Sequence, residues 1–325
     1  MTKAIRIHAH GGPERLKFDA VTVGEPGPGE ALLEHAAVGL NFIDVYHRIG
    51  LYPLGSFPSG IGLEAAGRVV AVGQGVTDLK VGDRVAYAGG PLGAYAEARL
   101  MPADKLVRLP AGIDDRQAAA MMLKGMTAEY LLRRTYQVKA GDAIVIHAAA
   151  GGVGLIACQW ANALGATVIG TVSTPEKAAL ARRHGCQHVI VTGRENFVDR
   201  VKALTAGKGV RVVYDSIGKT TFMGSLDCLA PRGLLALFGQ SSGPVPPFDP
   251  GLLAAKGSLY LTRPSLMAYN ASREELVASA IALFEVVTAG KVRIEINQTY
   301  PLAQAAQAHH DLEARRTTGS TVLLP

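Results

Sequence analysis

The run Ile144-Val145-Ile146-His147-Ala148-Ala149-Ala150-Gly151-Gly152-Val153-Gly154 constrains the fold more than any other part of the chain. An apolar strand passes through small residues into an apolar helix, with the spacing AxGxxG from Ala149 through Gly151 to Gly154. This is the pattern of a dinucleotide-binding turn whose first glycine is replaced by alanine. Gly151 lets the main chain approach a pyrophosphate, Gly154 lets the helix pack close to the strand, and the helix N-terminus adds partial positive charge. The context supports the motif: Val153 to Leu164 reads as a buried helix closed by Gly165, and Thr167 to Val172 as the next strand. No Asp, Glu, Lys or Arg falls between Ala143 and Pro175, but His147, Gln159, Asn162 and the glycines interrupt that stretch. A membrane span is therefore excluded, whereas a parallel strand and its covering helix are this apolar on both faces. The same local pattern with glycines used only for packing is the alternative.

The end of the second strand decides which dinucleotide fits. An NAD site usually places Asp or Glu about 20 residues beyond the glycines to take the ribose 2′-hydroxyl. Here that place holds Ser173-Thr174-Pro175-Glu176-Lys177. Thr174 reads as an N-cap, Pro175 as the first helical residue and Glu176 as a first-turn acid, leaving Lys177 to meet a phosphate. Two hydroxyls and a lysine predict NADP(H); an ordinary capped helix with a solvated lysine is the plainer reading.

With 325 residues the chain is long enough for two domains and a large core. Its net charge of +6 is spread rather than gathered in runs. That suits an anionic cofactor better than a nucleic acid, and no aromatic platform for RNA is evident. No secretory leader pattern stands at Met1-Thr2-Lys3-Ala4-Ile5-Arg6, so a soluble cytoplasmic protein is expected. Cys158, Cys186 and Cys228 lack C-x-x-C spacing, which argues against a disulfide framework or a cysteine-rich zinc lobe, and Cys158 reads as a small buried hydrophobe. His8 and His10 on a first strand, and His309-His310-Asp311 in a late helix, show no third ligand and are read as surface groups.

The first 120 or so residues read as short strands punctuated by glycine and proline, among them Ala31 to Val38, Gly67 to Gly73 and Asp83 to Tyr87. From about Thr127 strands alternate with helices: Ala143 to His147, His188 to Thr192, Val210 to Asp215, Leu234 to Phe238 and Ser258 to Thr262. This order predicts an α/β fold with a doubly wound parallel sheet. Beyond Arg263 come a helix over Arg273 to Thr288, a strand over Val292 to Ile296, a helix over Leu302 to Arg315 and a last strand ending at Leu324. That tail is expected to return to the first domain.

Several separate motifs now agree in order. The AAAGGVG turn, Val81-Gly82-Asp83-Arg84-Val85, Gly60-Ile61-Gly62-Leu63-Glu64-Ala65-Ala66-Gly67, Leu123-Lys124-Gly125-Met126-Thr127-Ala128 and Val213-Tyr214-Asp215-Ser216-Ile217-Gly218 resemble the zinc-independent quinone oxidoreductases of the medium-chain dehydrogenase/reductase superfamily, the zeta-crystallin group. The resemblance runs the length of the chain. It implies a GroES-like β-rich domain (1–125 and 265–325), a Rossmann NADP-binding domain (126–264), a nucleotide cleft between them and a homodimer. Zinc alcohol dehydrogenases of the superfamily place Cys, His and Cys where this chain has Asn41, Leu63 and Leu123, and an amide with two leucines cannot make an open three-ligand zinc site. Without a Lewis acid the chemistry points to acceptors that are already electrophilic, quinones first and activated enones second.

The pyrophosphate is assigned to the amides of Gly151, Gly152 and Val153, and the 2′-phosphate of NADPH to Ser173, Thr174 and Lys177. The resemblance adds Arg315 to that phosphate and puts Thr192 where close relatives carry a tyrosine. It also implies cofactor contacts from Asn41, Phe42, Tyr46, Tyr130 and Ser216, and nicotinamide-side contacts from Phe238, Gly239, Ser241, Pro264 and Ser265. Asn41, Tyr46 and Tyr52 are the candidates for holding the acceptor carbonyl as hydride arrives. Amphipathic packing is the competing role for the two tyrosines. Three functions remain open at this point: NADPH-dependent quinone reduction, reduction of an α,β-unsaturated aldehyde or ketone, and non-enzymatic binding of NADPH or RNA.

Overall fold

The apolar runs of the middle of the chain form one six-stranded parallel sheet in the computed structural model, which describes residues 1–325. Across the sheet the strands lie in the order His188–Val191, Thr167–Val172, Ala143–Ile146, Val210–Asp215, Leu229–Leu237 and Tyr260–Thr262. The first strand in sequence is thus third in space, flanked by the second and the fourth. That neighbour pair marks the switch point at whose carboxyl end a doubly wound sheet binds its ligand. Val145, Ile169, Val213 and Leu235 fill the core under the covering helices. The chain divides into two units, Thr127–Tyr269 with Ala289–Arg293 holding this sheet, and Met1–Met126 with Asn270–Thr288 and Ile294–Pro325 holding the other strands.

The other unit contains a three-stranded sheet and a seven-stranded sheet. Glu30–Leu40 is the hub of the larger one, pairing antiparallel with Glu64–Val72, with Ala98–Pro102 and with the C-terminal strand Ser320–Leu324. Leu33, Val38, Val69, Val85 and Leu323 are buried in one core.

Most helix and strand expectations hold within a residue or two; the tail differs. The alternation from Val292 to Ile296 suggests a strand, yet the strand runs Ile296–Pro301, because its partner Ser320–Leu324 pairs only from Ile296 onward. The expected helix over Leu302 to Arg315 begins as a 3-10 turn, Leu302–Gln304, continues as Ala305–Glu313, and is stopped by Arg315 at φ 58°. Leu229–Leu237 starts five residues earlier than the apolar run Leu234 to Phe238 suggests, and a register shift between Val210 and Val212 accommodates the extension.

Candidate functional site

At the carboxyl end of Ala143–Ile146 the chain turns through Ala148, whose φ of 51° lies in the left-handed region. The sharp turn that a first glycine commonly serves therefore falls on Ala148, one residue before the Ala149 of the motif. The Ala148 carbonyl accepts from Gly151 N at 2.8 Å, closing the loop. The helix Gly152–Ala163 follows with Gly151 as N-cap and no side chain capping it. The N–H groups of Gly152, Val153 and Gly154 therefore have no acceptor within the helix, as an anion site requires. A Cβ on Gly154 would stand 2.8 Å from Ala149 Cα, so helix and strand approach more closely than any side chain permits.

A buried polar chain fixes this turn to its neighbour across the switch point. His147 Nδ1 meets Thr171 Oγ1 at 2.8 Å and Nε2 meets Ser225 Oγ at 3.0 Å, while Ser225 donates to Asp215 Oδ2 at 2.7 Å. Since the single serine hydrogen goes to Asp215, the network assigns the imidazole hydrogen to Nε2. Burial keeps His147 below its ordinary pKa, against the opposing charge of Asp215. Asp215 Oδ1 in turn accepts from the amides of Ile217 and Gly218 at 2.8 and 3.1 Å. One carboxylate, fully buried, thus holds the loop after the fourth strand and, through Ser225, the turn after the first.

Ser216, Phe238, Gly239 and Ser241 come together at that same sheet end. Phe238 N donates to Asp215 O at 2.8 Å, Ser241 N donates to Ser216 O at 3.1 Å, and a Cβ on Gly239 would meet Ser216 O at 2.6 Å. Pro264 and Ser265 follow the adjacent strand Tyr260–Thr262, and Arg263 reaches back to Leu237 O at 3.0 Å. Tyr130 is almost wholly buried and stacks face to face on Tyr269 with centroids 4.5 Å apart. Burial pushes its phenol up, so it stays protonated. Further along the sheet end, Thr174 caps Pro175–Arg183, its hydroxyl accepting from Lys177 N at 3.3 Å. Its proton faces the Glu176 carboxylate, which this bond, after the residue's own N–H, holds below the usual range. Ser173 is exposed, Lys177 half-buried and Thr192 exposed.

The acceptor candidates form a separate group in the other unit. Asn41 caps the helix Phe42–Arg48 in a reciprocal box with Asp44: Asn41 N donates to Asp44 Oδ2 at 2.9 Å, and the Asn41 side chain takes the Asp44 amide. Phe42 and Tyr46, four residues apart, lie on one face with centroids 5.4 Å apart, and Tyr52 meets Tyr46 edge-on at 5.2 Å. Tyr46 is buried and Tyr52 half-buried. The Asn41 amide is turned inward, donating to Glu64 Oε2 at 2.7 Å. Arg315 stands in this unit too, exposed, just past the helix Ala305–Glu313.

Several residues here escaped sequence reasoning. Glu64, fully buried, accepts from Asn41 Nδ2, from Lys124 Nζ at 3.0 Å and from Leu123 N at 2.7 Å. Asn41 and Leu123, two of the three positions that carry zinc ligands in zinc dehydrogenases, are thus tied through one carboxylate, and no cluster of three His, Cys, Asp or Glu side chains is arranged to hold a metal. His309, expected at the surface, is fully buried. Arg48 donates to its Nδ1 at 3.0 Å and its Nε2 meets the Tyr95 hydroxyl at 3.1 Å, so the histidine bridges elements that sequence distance hides. Burial, reinforced by Arg48, holds the imidazole at about 3 and therefore neutral. Cys158 is buried as expected, and the neighbouring Cys186 thiol together with burial pushes its pKa well up.

Comparison with known proteins accounts for the whole chain. Residues 27–111 match the model of the alcohol dehydrogenase GroES-like domain, and residues 152–283 match that of the zinc-binding dehydrogenases. A quinone oxidoreductase of Pseudomonas aeruginosa is 58% identical over 325 residues, covering 100% of both chains. Quinone oxidoreductase 1 of Escherichia coli is 51% identical over 327 residues, again covering 100% of both. A 2-haloacrylate reductase of Burkholderia sp. is 50% identical, covering 100% of this chain and 99% of its own. Among solved structures, the E. coli quinone oxidoreductase complexed with NADPH superposes with a TM-score of 0.98 at 51% identity, covering 99% of this chain and 100% of that one. With full-length identity of this order and a GroES-like domain joined to a Rossmann-like parallel sheet, the chain belongs to the zinc-independent quinone oxidoreductases of the medium-chain dehydrogenase/reductase superfamily.

Proposed function

We propose that this protein reduces quinones with NADPH and without a metal. The observation that carries the reading is the uncapped helix N-terminus at Gly151–Gly152–Val153, standing at the switch point of a sheet whose second strand ends in Ser173 and Thr174 rather than in an acid. The residues present fit the cofactor: open amides suit a pyrophosphate, and a cation at Lys177 suits a 2′-phosphate. NADPH, when bound, supplies the hydride. The chain supplies position and electrostatics.

In this reading Gly151, Gly152 and Val153 hold the pyrophosphate, and Ser173, Thr174, Lys177 and Arg315 hold the 2′-phosphate, with Thr192 beside them. Ser216, Phe238, Gly239 and Ser241 support the nicotinamide side together with Pro264 and Ser265; Tyr130 and Phe42 complete the cofactor contacts. Tyr46 and Tyr52 orient the acceptor and donate to its carbonyl oxygen as charge develops there. Asn41 serves chiefly by fixing the helix that carries them, since its amide already bonds to Glu64. The reduced acceptor takes its proton from water. Residues 126–264 are assigned as the NADP-binding domain and residues 1–125 with 265–325 as the GroES-like catalytic domain.

The quinone reading is favoured over reduction of an α,β-unsaturated aldehyde or ketone because relatives at 58% and 51% identity are quinone oxidoreductases. We further propose a cytoplasmic homodimer. No helix is long and apolar enough to cross a membrane, and the sheet's edge strand Tyr260–Thr262 leaves Tyr260 63% exposed. Light scattering of the purified protein tests the dimer. The activity is tested by following NADPH oxidation with a benzoquinone and with an alkenal, each with and without a zinc chelator. Faster turnover of the quinone, unchanged by chelator, is expected; preference for the alkenal or loss of activity on chelation overturns the reading.

A further inference from the structure

Ser173, Thr174 and Lys177 lie on one strand end and its helix, and a second strand end runs beside them. Val172 and Val191 are partners in adjacent parallel strands, so Ser173 and Thr192 leave the sheet side by side. Both the amide and the hydroxyl of Thr192 donate to Val172 O, at 3.0 and 3.2 Å. A Cβ placed on Gly193 would find its nearest neighbour, Ser173 O, 4.0 Å away. The next residue, Arg194, closes a turn by donating its amide to Val191 O at 2.9 Å. Its side chain is exposed and forms no hydrogen bond or ion pair of its own. Nearby Arg200, by contrast, lies 3.8 Å from Glu195.

The charge of Arg194 acts on the Glu176 carboxylate in the first turn of Pro175–Arg183, the helix that also carries Lys177. Glu176 is an obstacle for a phosphate there, since a carboxylate and a phosphate dianion repel. Lys177 alone only balances Glu176, so these two side chains are neutral overall on their helix, and Arg315, assigned to the same phosphate, belongs to the other unit. A second cation makes the place net positive, and a guanidinium is the better choice because its planar fork matches two phosphate oxygens. Thr192 and Gly193 put little bulk between Arg194 and the exposed Ser173.

Resting on the NADPH reading above, we infer that Arg194 binds the 2′-phosphate and is a specificity-determining residue for NADPH over NADH. The tyrosine found at position 192 in close relatives is absent here, and a cation two residues later takes up the task of gripping that end of the nucleotide.

The test is calorimetric titration of the full-length protein with adenosine 2′,5′-bisphosphate and with AMP, which differ only in the 2′-phosphate. The wild type should bind the bisphosphate more tightly. Arg194→Gln should weaken the bisphosphate roughly tenfold and leave AMP unchanged, with partial recovery in Arg194→Lys. Arg200→Gln, changing an exposed arginine paired to Glu195, should alter neither. If Arg194→Gln weakens both ligands equally, or neither, the assignment of Arg194 is overturned while a wild-type preference for the bisphosphate still supports NADPH. Equal binding of the two ligands by the wild type overturns the NADPH reading itself.

Discussion

Asp44 offers the sharpest quantitative test of the acceptor-side geometry. Its carboxyl is fully buried at the third position of Phe42–Arg48; Oδ2 accepts from Asn41 N and from the Tyr95 hydroxyl, each at 2.9 Å, while Oδ1 has no hydrogen-bond partner. Burial raises its pKa from the ordinary 3.8 to about 7, opposed by those two donors and by the Lys124 cation, and aided by the neighbouring Glu64 charge. Below about pH 7 Asp44 therefore carries a proton. The unfolded chain releases that proton near pH 4, the folded one only near pH 7. Between these values the folded state binds more protons, so stability falls as pH rises through the window. The full effect is on the order of 4 kcal/mol, of which roughly 2.5 kcal/mol develops between pH 5 and pH 8.

Asp44→Asn keeps the oxygen that serves Asn41 and Tyr95 and puts an amide nitrogen where Oδ1 has no partner. The unsatisfied amide costs about 1–3 kcal/mol at every pH, but the titration disappears. Urea unfolding of both proteins at pH 5, 6, 7 and 8 should therefore show the variant gaining on the wild type as pH rises, by roughly 2.5 kcal/mol across the range. All other titrating groups are common to the two proteins and cancel in the difference. A difference that stays constant from pH 5 to pH 8 would refute the raised pKa and, with it, the burial argument.

Three further outcomes are expected. Gly154→Ala forces its new Cβ against Ala149 and should lower NADPH affinity by tenfold or more in calorimetry, whereas Gly193→Ala, whose Cβ would meet nothing nearer than Ser173 O at 4.0 Å, should leave the fold's urea midpoint unchanged. Lys124→Met strands a buried carboxylate, and Glu64→Leu strands a buried ammonium and two further donors; each should destabilise by about 3 kcal/mol, while the double variant Glu64→Leu/Lys124→Met costs clearly less than their sum in an unfolding cycle. Tyr46→Phe and Tyr52→Phe should lower kcat/KM for a benzoquinone by roughly tenfold with NADPH affinity unchanged; equal losses in both quantities would place the hydroxyls on the cofactor instead.

What was legible in the sequence was whatever a short window encodes. The AxGxxG turn, the Thr174–Pro175 cap and the strands Thr167–Val172 and Val210–Asp215 each declare themselves through neighbours within a few residues, because capping, close approach and burial on both strand faces act locally. The turn residue was displaced by one, to Ala148, since a one-letter motif records which side chains are small but not which φ is positive. The strand at Ile296–Pro301 was misplaced for a related reason: alternation marks a segment able to be a strand, but its partner Ser320–Leu324 fixes where pairing begins.

The buried polar groups were illegible because each is explained only by a partner far along the chain. His309 sits among alanines and polar residues in a pattern typical of an exposed helix, and it is Arg48, 261 residues away, and Tyr95 that make burial tolerable. Glu64 and Lys124 are likewise 60 residues apart and look like surface charges until the fold closes. This cluster also accounts for the inward turn of the Asn41 amide. Asn41 cannot turn its amide outward without abandoning Glu64, and Glu64 cannot lose that donor without weakening its hold on Lys124 and the Leu123 amide. A buried carboxylate needs several donors to be tolerated at all. The site has therefore satisfied that need with an ammonium, an amide and a backbone N–H, an arrangement that holds Asn41 at the start of the helix carrying Tyr46.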